Sequence, residues 1–419
     1  MSQKVARSHT AVSYEDKRIL ITTPIGAQPD YFGVSVGRSL RATLPTPPFG
    51  VRFLGENLPT VRILEHPDAP SFERSLAGLD VLGISFFMKD IPVVRRMVNA
   101  ARQAGVSEIW GGGYGVLCDE ARPLFDRTFV GYAERELHEL IYGAPLPRLR
   151  HPLLETKIGL RFTMLRVPYG FLFTTRGCRQ RCSFCQTRAF VDGVSLVPLE
   201  EIADVLDRYQ RRGVRFLFVM DENFMVDPHH AAAVIEMLHE RRFIWGVCTR
   251  LENLHGRVAA LHEKGMVDCL VGVESLRQDE LDYLGRAGRT DQSLATLAEL
   301  EAHDIFVHAT YIIGFPDDTV ATVRQDLERL AAAPIDSAQI CVLTPFPQTP
   351  LHADLSRRFG LRTDYGDFDG YHLSWNHPFI SYEEMESLLL WARRKINTLG
   401  RLRKGLRKLV RNGLLHRPA

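Results

Sequence analysis

Short apolar segments typical of buried strands alternate with amphipathic helical segments twice along this chain, from residue 18 to 145 and again from residue 170 to 350. Such alternation favours parallel sheets covered by helices, whose ligands bind at the carboxyl ends of the strands. We therefore expect an α/β protein that begins with a Rossmann-like sheet domain. The first series predicts strands at 18–24, 51–55, 79–86, 107–113 and 127–132 and helices at 31–44, 91–105 and 134–143.

The second series contains six further strand candidates, which helical patterns separate. Six strand–helix pairs predict a partial (β/α)6 barrel, and by analogy with complete barrels its active site lies at the carboxyl ends of the strands. Proline, charge and irregular apolar residues between the two series are typical of a linker. The predicted domains are a sheet domain at 18–145, a linker at 146–168, a barrel at 169–350 and a short helical, basic C-terminal segment at 351–419.

The composition is that of an ordinary soluble globular protein, with 45% hydrophobic and 24% charged residues among 419 and a formal net charge of +2. Seven cysteines are an odd number, which does not suit a disulfide framework and favours a reducing compartment. The first residues have no apolar core typical of a secretion signal, and no segment approaches the ~20 apolar residues of a membrane span. We expect a cytoplasmic protein.

Three cysteines, Cys178, Cys182 and Cys185, fall within eight residues of the segment TTRGCRQRCSFCQ. Thiolates are soft ligands that select zinc, copper(I) or iron–sulfur clusters. A [4Fe–4S] cluster usually takes four cysteines, so three would leave one iron with an open position for a small molecule. Open positions distinguish catalytic metal sites from closed structural ones. The motif therefore predicts a catalytic iron–sulfur cluster.

Two other interpretations of this motif remain open. A structural zinc site would need a fourth ligand, and the next candidates along the chain are His229 and His230. A redox pair formed by Cys182 and Cys185 would leave the third cysteine, four residues upstream, without a purpose.

The cysteine spacing and the strand-end motifs after it resemble the radical S-adenosylmethionine (SAM) superfamily, and the resemblance implies that SAM chelates the open iron. The SAM ammonium carries donors only, so a carboxylate of the segment MDEN suits it, and an arginine ending CTR suits the SAM carboxylate. The motifs GVES and GFP resemble the places where the ribose or SAM tail and the adenine are held. The residues implied as SAM contacts are Phe184, Asp221, Glu222, Arg250, Glu274, Ser275 and Gly314.

Each of these residues also has a purely structural interpretation. Asp221 or Asn223 would suit the N-terminus of a helix, and Phe184 would suit an apolar core. The others would serve in surface ion pairs or turns. One such motif follows each successive strand, and this regular order favours a single SAM site to which all of them contribute.

Glycines cluster at the predicted strand ends of the first domain, where glycine lets the backbone approach a bulky ligand closely. The segments GISFFMKD, WGGGYGVLC and VGYAERELHELI resemble the N-terminal cobalamin-binding domain of many radical SAM enzymes. His9, His66 and His138 lie outside the Asp-x-His-x-x-Gly pattern, so we expect a cobalt without a protein histidine ligand. A dinucleotide site is the alternative, but G-x-G-x-x-G is absent after the first strand. The residues implied for cobalamin are Pro24, Gly83, Ser85, Gly111, Gly112, Gly113, Gly131 and Glu134.

The resemblance to cobalamin-dependent radical SAM enzymes implies C-methylation of an unactivated carbon in a biosynthetic pathway. An oxidative cyclase or rearrangement enzyme would use the same domains and is the alternative. A tRNA methylthiotransferase would need further N-terminal cysteines, whereas only Cys118 precedes Cys178. A cobalamin sensor with a structural cluster is a non-enzymatic alternative.

The expected partners are a small-molecule or lipid substrate and an electron donor such as flavodoxin or ferredoxin, and we expect no nucleic acid. From Leu390 onward the chain has basic residues and no acid. This segment is predicted to be an amphipathic helix that lies on an anionic membrane, touches an anionic substrate or RNA, or packs on the barrel. Tyr311 and the aromatic stretch 364–375 are predicted walls of the substrate pocket.

Overall fold

The computed structural model describes residues 14–26, 34–36, 40–42, 46–159 and 166–413. The first part of the chain forms a five-stranded, entirely parallel sheet in the order β4-β1-β5-β6-β7. Its elements are β1 (Ile19–Thr22), β2 (Val34–Val36), β3 (Leu40–Ala42), α1 (Phe49–Asn57), β4 (Arg62–Leu64), α2 (Ala69–Ser75), β5 (Val81–Ser85), α3 (Ile91–Gln103), β6 (Glu108–Gly112), β7 (Arg127–Thr128) and α4 (Glu134–Tyr142).

Two predictions in this part are wrong. The strand predicted at 51–55 lies inside α1, where Phe49, Phe53 and Asn57 recur at the four-residue spacing of one helical face. Phe49 and Phe53 pack against the aromatic rings of the second sheet, and this packing outweighs the strand preference of valine and phenylalanine. Within the helix predicted at 31–44, the described residues instead form the antiparallel pair β2–β3, and the rest of that segment lies outside the described residues.

The second part of the chain forms a seven-stranded sheet in the order β16-β15-β14-β13-β12-β9-β8, in which only β8 is antiparallel to its neighbour. All six predicted barrel strands are present, and β8 lies in the segment predicted as a linker. The elements are β8 (Leu154–Gly159), β9 (Arg166–Leu172), β10 (Thr175–Arg176), α5 (Thr187–Phe190), β11 (Ser195–Leu196), α6 (Leu199–Arg211), β12 (Phe216–Val219), α7 (Pro228–Glu240), β13 (Ile244–Arg250), α8 (Leu251–Leu254), α9 (Val258–Glu263), β14 (Met266–Glu274), α10 (Gln278–Tyr283), α11 (Thr290–Ala302), β15 (Phe306–Ile313), α12 (Val320–Ala332), β16 (Ser337–Val342), α13 (Pro350–Phe359), α14 (Tyr382–Ile396) and α15 (Leu399–Arg411).

Side chains alternate between the two faces of this sheet. The outer face packs with the helices into the largest apolar core of the protein. The inner face carries an aromatic cluster built around Tyr169, Phe171, Phe216 and Phe218, and α1 and α15 both contribute side chains to it. The aromatic cluster therefore fills part of the barrel interior.

The basic C-terminal helix α15 packs on the amino ends of the barrel strands. Its Lys408 is 2% exposed and donates to Asp336 and Glu301, each at 2.7 Å. A side chain at Gly405 would collide with the ring of Phe306 at 2.3 Å, so glycine permits this close approach. Membrane contact through this segment stays a prediction. None of the helices that the structure describes is long and apolar enough to cross a bilayer.

Candidate active site at the carboxyl ends of the barrel strands

The cysteine loop directly follows β10, above the strand ends of the second sheet. Cys178 and Cys182 are partly exposed, Cys185 is exposed, and all three are free thiols. The backbone N–H of Ser183 donates to the carbonyl of Leu284 at 2.8 Å, which ties the loop to the end of α10. The three thiols are thus held on one anchored loop and remain available to a metal.

The zinc interpretation of the three cysteines sets requirements for the distances between their sulfur atoms and for a fourth ligand. Tetrahedral zinc, with Zn–S bonds of about 2.3 Å, requires its thiolates to lie about 3.8 Å apart. Among the described residues, the three cysteine sulfurs do not all lie within 4.8 Å of one another. His230, a candidate fourth zinc ligand, is buried and bonds the carbonyl of Thr174 at 3.0 Å. His230 is therefore engaged inside the fold, which removes one of the two candidate fourth ligands of the zinc interpretation.

The charges around the loop suit thiolate ligands. Burial raises the pKa of the Cys178 and Cys182 thiols, and nearby guanidinium groups act in the opposite direction. Arg250 points Nη1 at the sulfur of Cys182 from 3.7 Å. Arg286 is the larger of the two cationic influences on the same thiol. A metal that displaces the thiol protons would leave thiolates next to two positive charges.

Asp221 lies at the end of β12 and is fully buried. Its carboxylate accepts four hydrogen bonds, from the backbone N–H and hydroxyl groups of Thr174 and Thr175. Burial raises its pKa to about 6, and these hydrogen bonds oppose the rise. Asp221 therefore fastens the chain that leads into the cysteine loop, which is closer to the structural interpretation of this residue than to a ligand contact.

Glu222, the next residue, faces the loop itself. One carboxylate oxygen accepts a hydrogen bond from the hydroxyl of Tyr132, and the other accepts from the N–H of Gly177 at 3.1 Å. Gly177 precedes Cys178 and has φ +89°, and a side chain there would meet the carbonyl of Gly193 at 2.3 Å. Glu222 thus links the first domain to the start of the loop and leaves further lone pairs for a ligand.

A chain of polar groups continues across the strand ends from the cysteines. Arg250 pairs with Glu252 at 3.2 Å, and Arg286 pairs with Glu274 at 3.2 Å and lies 3.8 Å from Glu252. Glu274 has φ +61° and accepts from the hydroxyl of Thr310 at 3.2 Å. Burial raises the pKa of Glu274, and Arg286 opposes that rise. These groups form a mixed-charge surface suited to a zwitterionic ligand with hydroxyl groups.

The remaining predicted SAM contacts differ in their surroundings. Ser275 is fully buried and donates to Glu280, below the strand end. Gly314 has φ +83°, and its N–H donates to Asp318 at 3.0 Å. Phe184 is half-buried and packs against the main core. The structure brings Phe184 and Gly314 to the same end of the barrel as the cysteines, whereas the Ser275 hydroxyl is occupied inside the fold.

Inward-facing side chains above the aromatic cluster keep accessible surface although they lie deep in the protein. They include Cys248 and Cys341, whose thiol pKa burial raises to about 12. The amide of Gln339, two residues before Cys341 on β16, donates to the hydroxyl of Tyr371 at 2.7 Å. Tyr371 belongs to the aromatic stretch 364–375 that is predicted to line the substrate pocket. Tyr311 is also predicted as a pocket wall, and that prediction is wrong because Tyr311 is packed in the outer core.

The glycines predicted for cobalamin have three different kinds of surroundings. A side chain at Gly83 would meet Ile21 at 3.0 Å, and one at Gly111 would meet the ring of Phe125 at 2.7 Å, so internal packing requires both. Gly113 and Gly131 have φ +79° and +95° and make the turns after β6 and β7. A Cβ atom at Gly112 would have its nearest neighbour 4.0 Å away, which leaves room for a ligand.

The same sheet edge holds an unsatisfied polar group. His66 follows β4, has φ +43°, and donates its backbone N–H to the hydroxyl of Thr23 at 2.8 Å. Within the described part of the chain, both of its ring nitrogens are buried without a hydrogen-bond partner, a costly arrangement that a ligand would relieve. Pro24 is buried next to it and Ser85 is half-buried at the end of β5. An open glycine and an orphaned imidazole on one edge fit a large polar ligand.

Glu134, predicted for cobalamin, instead forms a buried bidentate ion pair with Arg176 at 3.0 Å for both N–O contacts. The guanidinium lies between the rings of Phe53 and Tyr132, at 4.2 and 4.4 Å from their centroids. Arg176 and Tyr132 are functional candidates that sequence reasoning missed. Their positions, directly before the cysteine loop and directly after Gly131, are the only signal in the sequence that would have pointed to them.

Comparison with known proteins agrees with this geometry. Residues 172–330 match the family model of the Radical SAM superfamily. The chain is 23% identical over 380 residues to the bacteriochlorophyllide d C-12(1)-methyltransferase of Chlorobaculum tepidum, a match that covers 85% of this chain and 80% of that protein.

Two solved structures share the fold over most of the chain. The radical SAM methyltransferase TsrM from Kitasatospora setae, solved with cobalamin and a [4Fe–4S] cluster, gives a TM-score of 0.63 at 14% identity and covers 83% of this chain and 75% of its own. The cobalamin-dependent SAM radical enzyme OxsB, solved with aqua-cobalamin, gives 0.59 at 13% identity and covers 89% and 67%. At these identities the likeness concerns the fold.

Proposed function

We propose that this radical SAM enzyme transfers a methyl group to an unactivated carbon of a small-molecule or lipid substrate, using cobalamin held by its N-terminal sheet. The observation that carries the proposal is the contact between the cysteine loop and the glycine-rich edge of that sheet. Tyr114, from this edge, stacks on Phe190 with ring centroids 4.2 Å apart, and Tyr132 bonds Glu222. Ligands on the two edges would therefore face a common space.

The cluster ligands in this proposal are Cys178, Cys182 and Cys185. When bound and reduced, the cluster supplies the electron that cleaves SAM and generates a radical able to remove hydrogen from an unactivated carbon. Arg250 and Arg286 offset the negative charge of the thiolates, and Asp221 and its threonine partners hold the entry to the loop in place. Such fixed groups need no rearrangement when charge moves within the site.

Glu222 would accept the SAM ammonium, because it faces the loop and both of its oxygens have spare lone pairs. Arg250 would hold the SAM carboxylate with the donors that Glu252 leaves free. Glu274 would accept from ribose hydroxyls, and Phe184 with the backbone at Gly314 would flank the adenine. Asp221 and Ser275 act in this proposal as structural supports, since their polar atoms are already bonded inside the fold.

Cobalamin would lie along Gly112, Gly113 and Gly131, next to Pro24, Ser85 and the imidazole of His66. When bound in its methylated form, it supplies the methyl group. Glu134 would support this site indirectly, by fastening the sheet domain to Arg176. The named cofactors of the similar structures support the proposal.

The barrel interior would hold the substrate, with Gln339 and Tyr371 offering hydrogen bonds and Cys248 and Cys341 offering apolar contact. Closure of the two domains over this space would keep water and oxidants from a reactive intermediate. The electron would come from a carrier such as flavodoxin or ferredoxin in the cytoplasm. Peripheral membrane contact through the exposed side chains Arg403, Arg407 and Val410 of α15 would suit a lipid substrate.

The test is anaerobic reconstitution with iron, sulfide and hydroxocobalamin, followed by metal analysis and a visible spectrum. The proposal predicts about four irons and about one cobalt per chain. Cys182→Ala should lose the iron, whereas Cys118→Ala, which removes a thiol of the N-terminal domain, should keep it. Four irons without cobalt would contradict the cobalamin part, and absence of iron would contradict the whole proposal.

A further inference from the structure

The arginines of the cysteine loop and its flanks, residues 176–190, differ in burial and in pairing. Arg176 is buried and forms an ion pair with Glu134. Arg179, Arg181 and Arg188 are exposed, and within the part of the chain that the structure describes none of their guanidinium groups forms a hydrogen bond or an ion pair. We name these three residues the outer arginines.

The acidic groups near the outer arginines do not neutralise them. Arg179 is close enough to Asp227 to contribute to the lowered pKa of that carboxyl, after the larger effect of backbone hydrogen bonds. Asp192, at the end of the loop, is exposed and has no ion pair among the described residues. The three outer arginines therefore outnumber the two carboxylates near them, Asp227 and Asp192, and the net charge of this group is positive.

The outer arginines lie on the same loop as the cluster ligands: Arg179 follows Cys178, Arg181 precedes Cys182, and Arg188 comes three residues after Cys185. Cys185 is exposed, whereas Cys178 and Cys182 are partly covered and Arg250 lies against Cys182. The opposite side of the loop is covered by Tyr114 and the N-terminal sheet. Because the side chains of the outer arginines are exposed, a carrier protein docked on them would lie beside the loop that holds the three cluster ligands.

We propose that the outer arginines are the docking surface for an acidic one-electron carrier protein, a proposal that rests on the function proposed above. One electron passes from the reduced centre of the carrier to the oxidised cluster, so the carrier is oxidised and the cluster reduced by one electron, with no bond made or broken. Unpaired surface charge steers such an encounter and raises its rate. A single-stranded RNA would also be attracted, but the loop exposes no aromatic side chain on which bases could stack.

The experiment mixes the reconstituted protein with a purified flavodoxin in its hydroquinone form and follows cluster reduction and flavodoxin oxidation by stopped flow at several salt concentrations. The triple variant R179E/R181E/R188E should react at least about tenfold more slowly at low salt and lose most of the salt dependence. The triple variant R179Q/R181Q/R188Q removes the three charges without reversing them. Its rate of cluster reduction should lie between the rates of the parent and of the glutamate variant. Iron content is measured for each variant to show that the cluster is assembled.

The matched control is R211E/R324E/R394E, which changes the net charge by the same amount at exposed positions on helices α6, α12 and α14 and should keep the parent rate. The docking proposal is overturned if the outer-arginine variant reacts as fast as the parent, or if the control slows equally. It is also overturned if a single-stranded RNA binds the outer arginines while flavodoxin does not. Failure of the chemically reduced parent to cleave SAM would contradict the proposed function instead, because cluster reduction by flavodoxin is read separately.

Discussion

Arg176 of the barrel and Glu134 of the N-terminal sheet domain form a bidentate ion pair whose side chains are only 5% and 4% exposed. Arg176 lies two residues before Cys178 in the sequence. The pair therefore connects the position of the cysteine loop to the position of the glycine-rich sheet edge, as do the Tyr132–Glu222 and Tyr114–Phe190 contacts.

Replacing Glu134 with glutamine should destabilise the protein, because the Arg176 guanidinium would remain buried without its counter-charge. The expected loss is about 3 kcal/mol of unfolding free energy. Urea denaturation, followed by fluorescence, measures it. Glu155→Gln, which removes the charge from the more exposed pair with Arg212, is the control and should cost much less, because solvent screens that pair. Equal effects would show that burial does not distinguish the two pairs.

Replacing Glu222 with glutamine should weaken SAM binding with little effect on iron content. Glutamine can still accept from the N–H of Gly177, but it lacks the charge proposed to meet the SAM ammonium. Hydrogen bonds to charged groups contribute about 1.5–3 kcal/mol, so the Kd for SAM should rise about tenfold or more. Anaerobic equilibrium dialysis measures it, with the exposed Glu200→Gln as control. An unchanged Kd would remove Glu222 from the SAM site.

Asp268 should make stability depend on pH. Burial, with a smaller effect from Asp336, raises the pKa of its carboxyl to about 8, well above the value of an unfolded chain. The folded protein then holds a proton that the unfolded chain releases, so stability falls as pH rises from about 4 to about 8. Between pH 6 and 8 this group should cost about 2 kcal/mol, a loss that Asp268→Asn should abolish. Denaturation midpoints that change equally between these two pH values in both proteins would contradict this.

Lys408 should hold α15 on the barrel. Its removal as Lys408→Met leaves Asp336 buried without a cation, and one oxygen of that carboxylate already lacks a partner among the described residues. The expected loss is about 3 kcal/mol. Lys404→Met removes an exposed lysine that pairs with the same Glu301 and should cost less than about 1 kcal/mol. If both variants unfold at the parent's midpoint, α15 contributes little to the fold.

The sequence is sufficient for features set by local pattern. The six parallel strands, the cysteine loop and the placement of Arg250, Glu274 and Gly314 at strand ends follow from apolar periodicity and short motifs. The segment VRFLG has the composition of a strand, and only the aromatic rings of a distant sheet make it a helix.

Long-range pairings cannot be predicted from the sequence. Glu134 has the position of a cofactor contact, but the fold places Arg176 beside it, 42 residues away along the chain. Gly83 and Gly111 have the positions of ligand contacts, but the side chains they accommodate belong to Ile21 and Phe125. In each case the residue type is informative, and its partner is chosen by the tertiary structure.

The most direct test of the central claim is SAM cleavage by the anaerobically reconstituted, chemically reduced protein, measured as 5′-deoxyadenosine by liquid chromatography. We predict that the parent protein forms 5′-deoxyadenosine and that Cys182→Ala forms none. A parent protein that contains about four irons and leaves SAM intact would contradict the account, as would a Cys182→Ala variant that cleaves SAM at the parent rate.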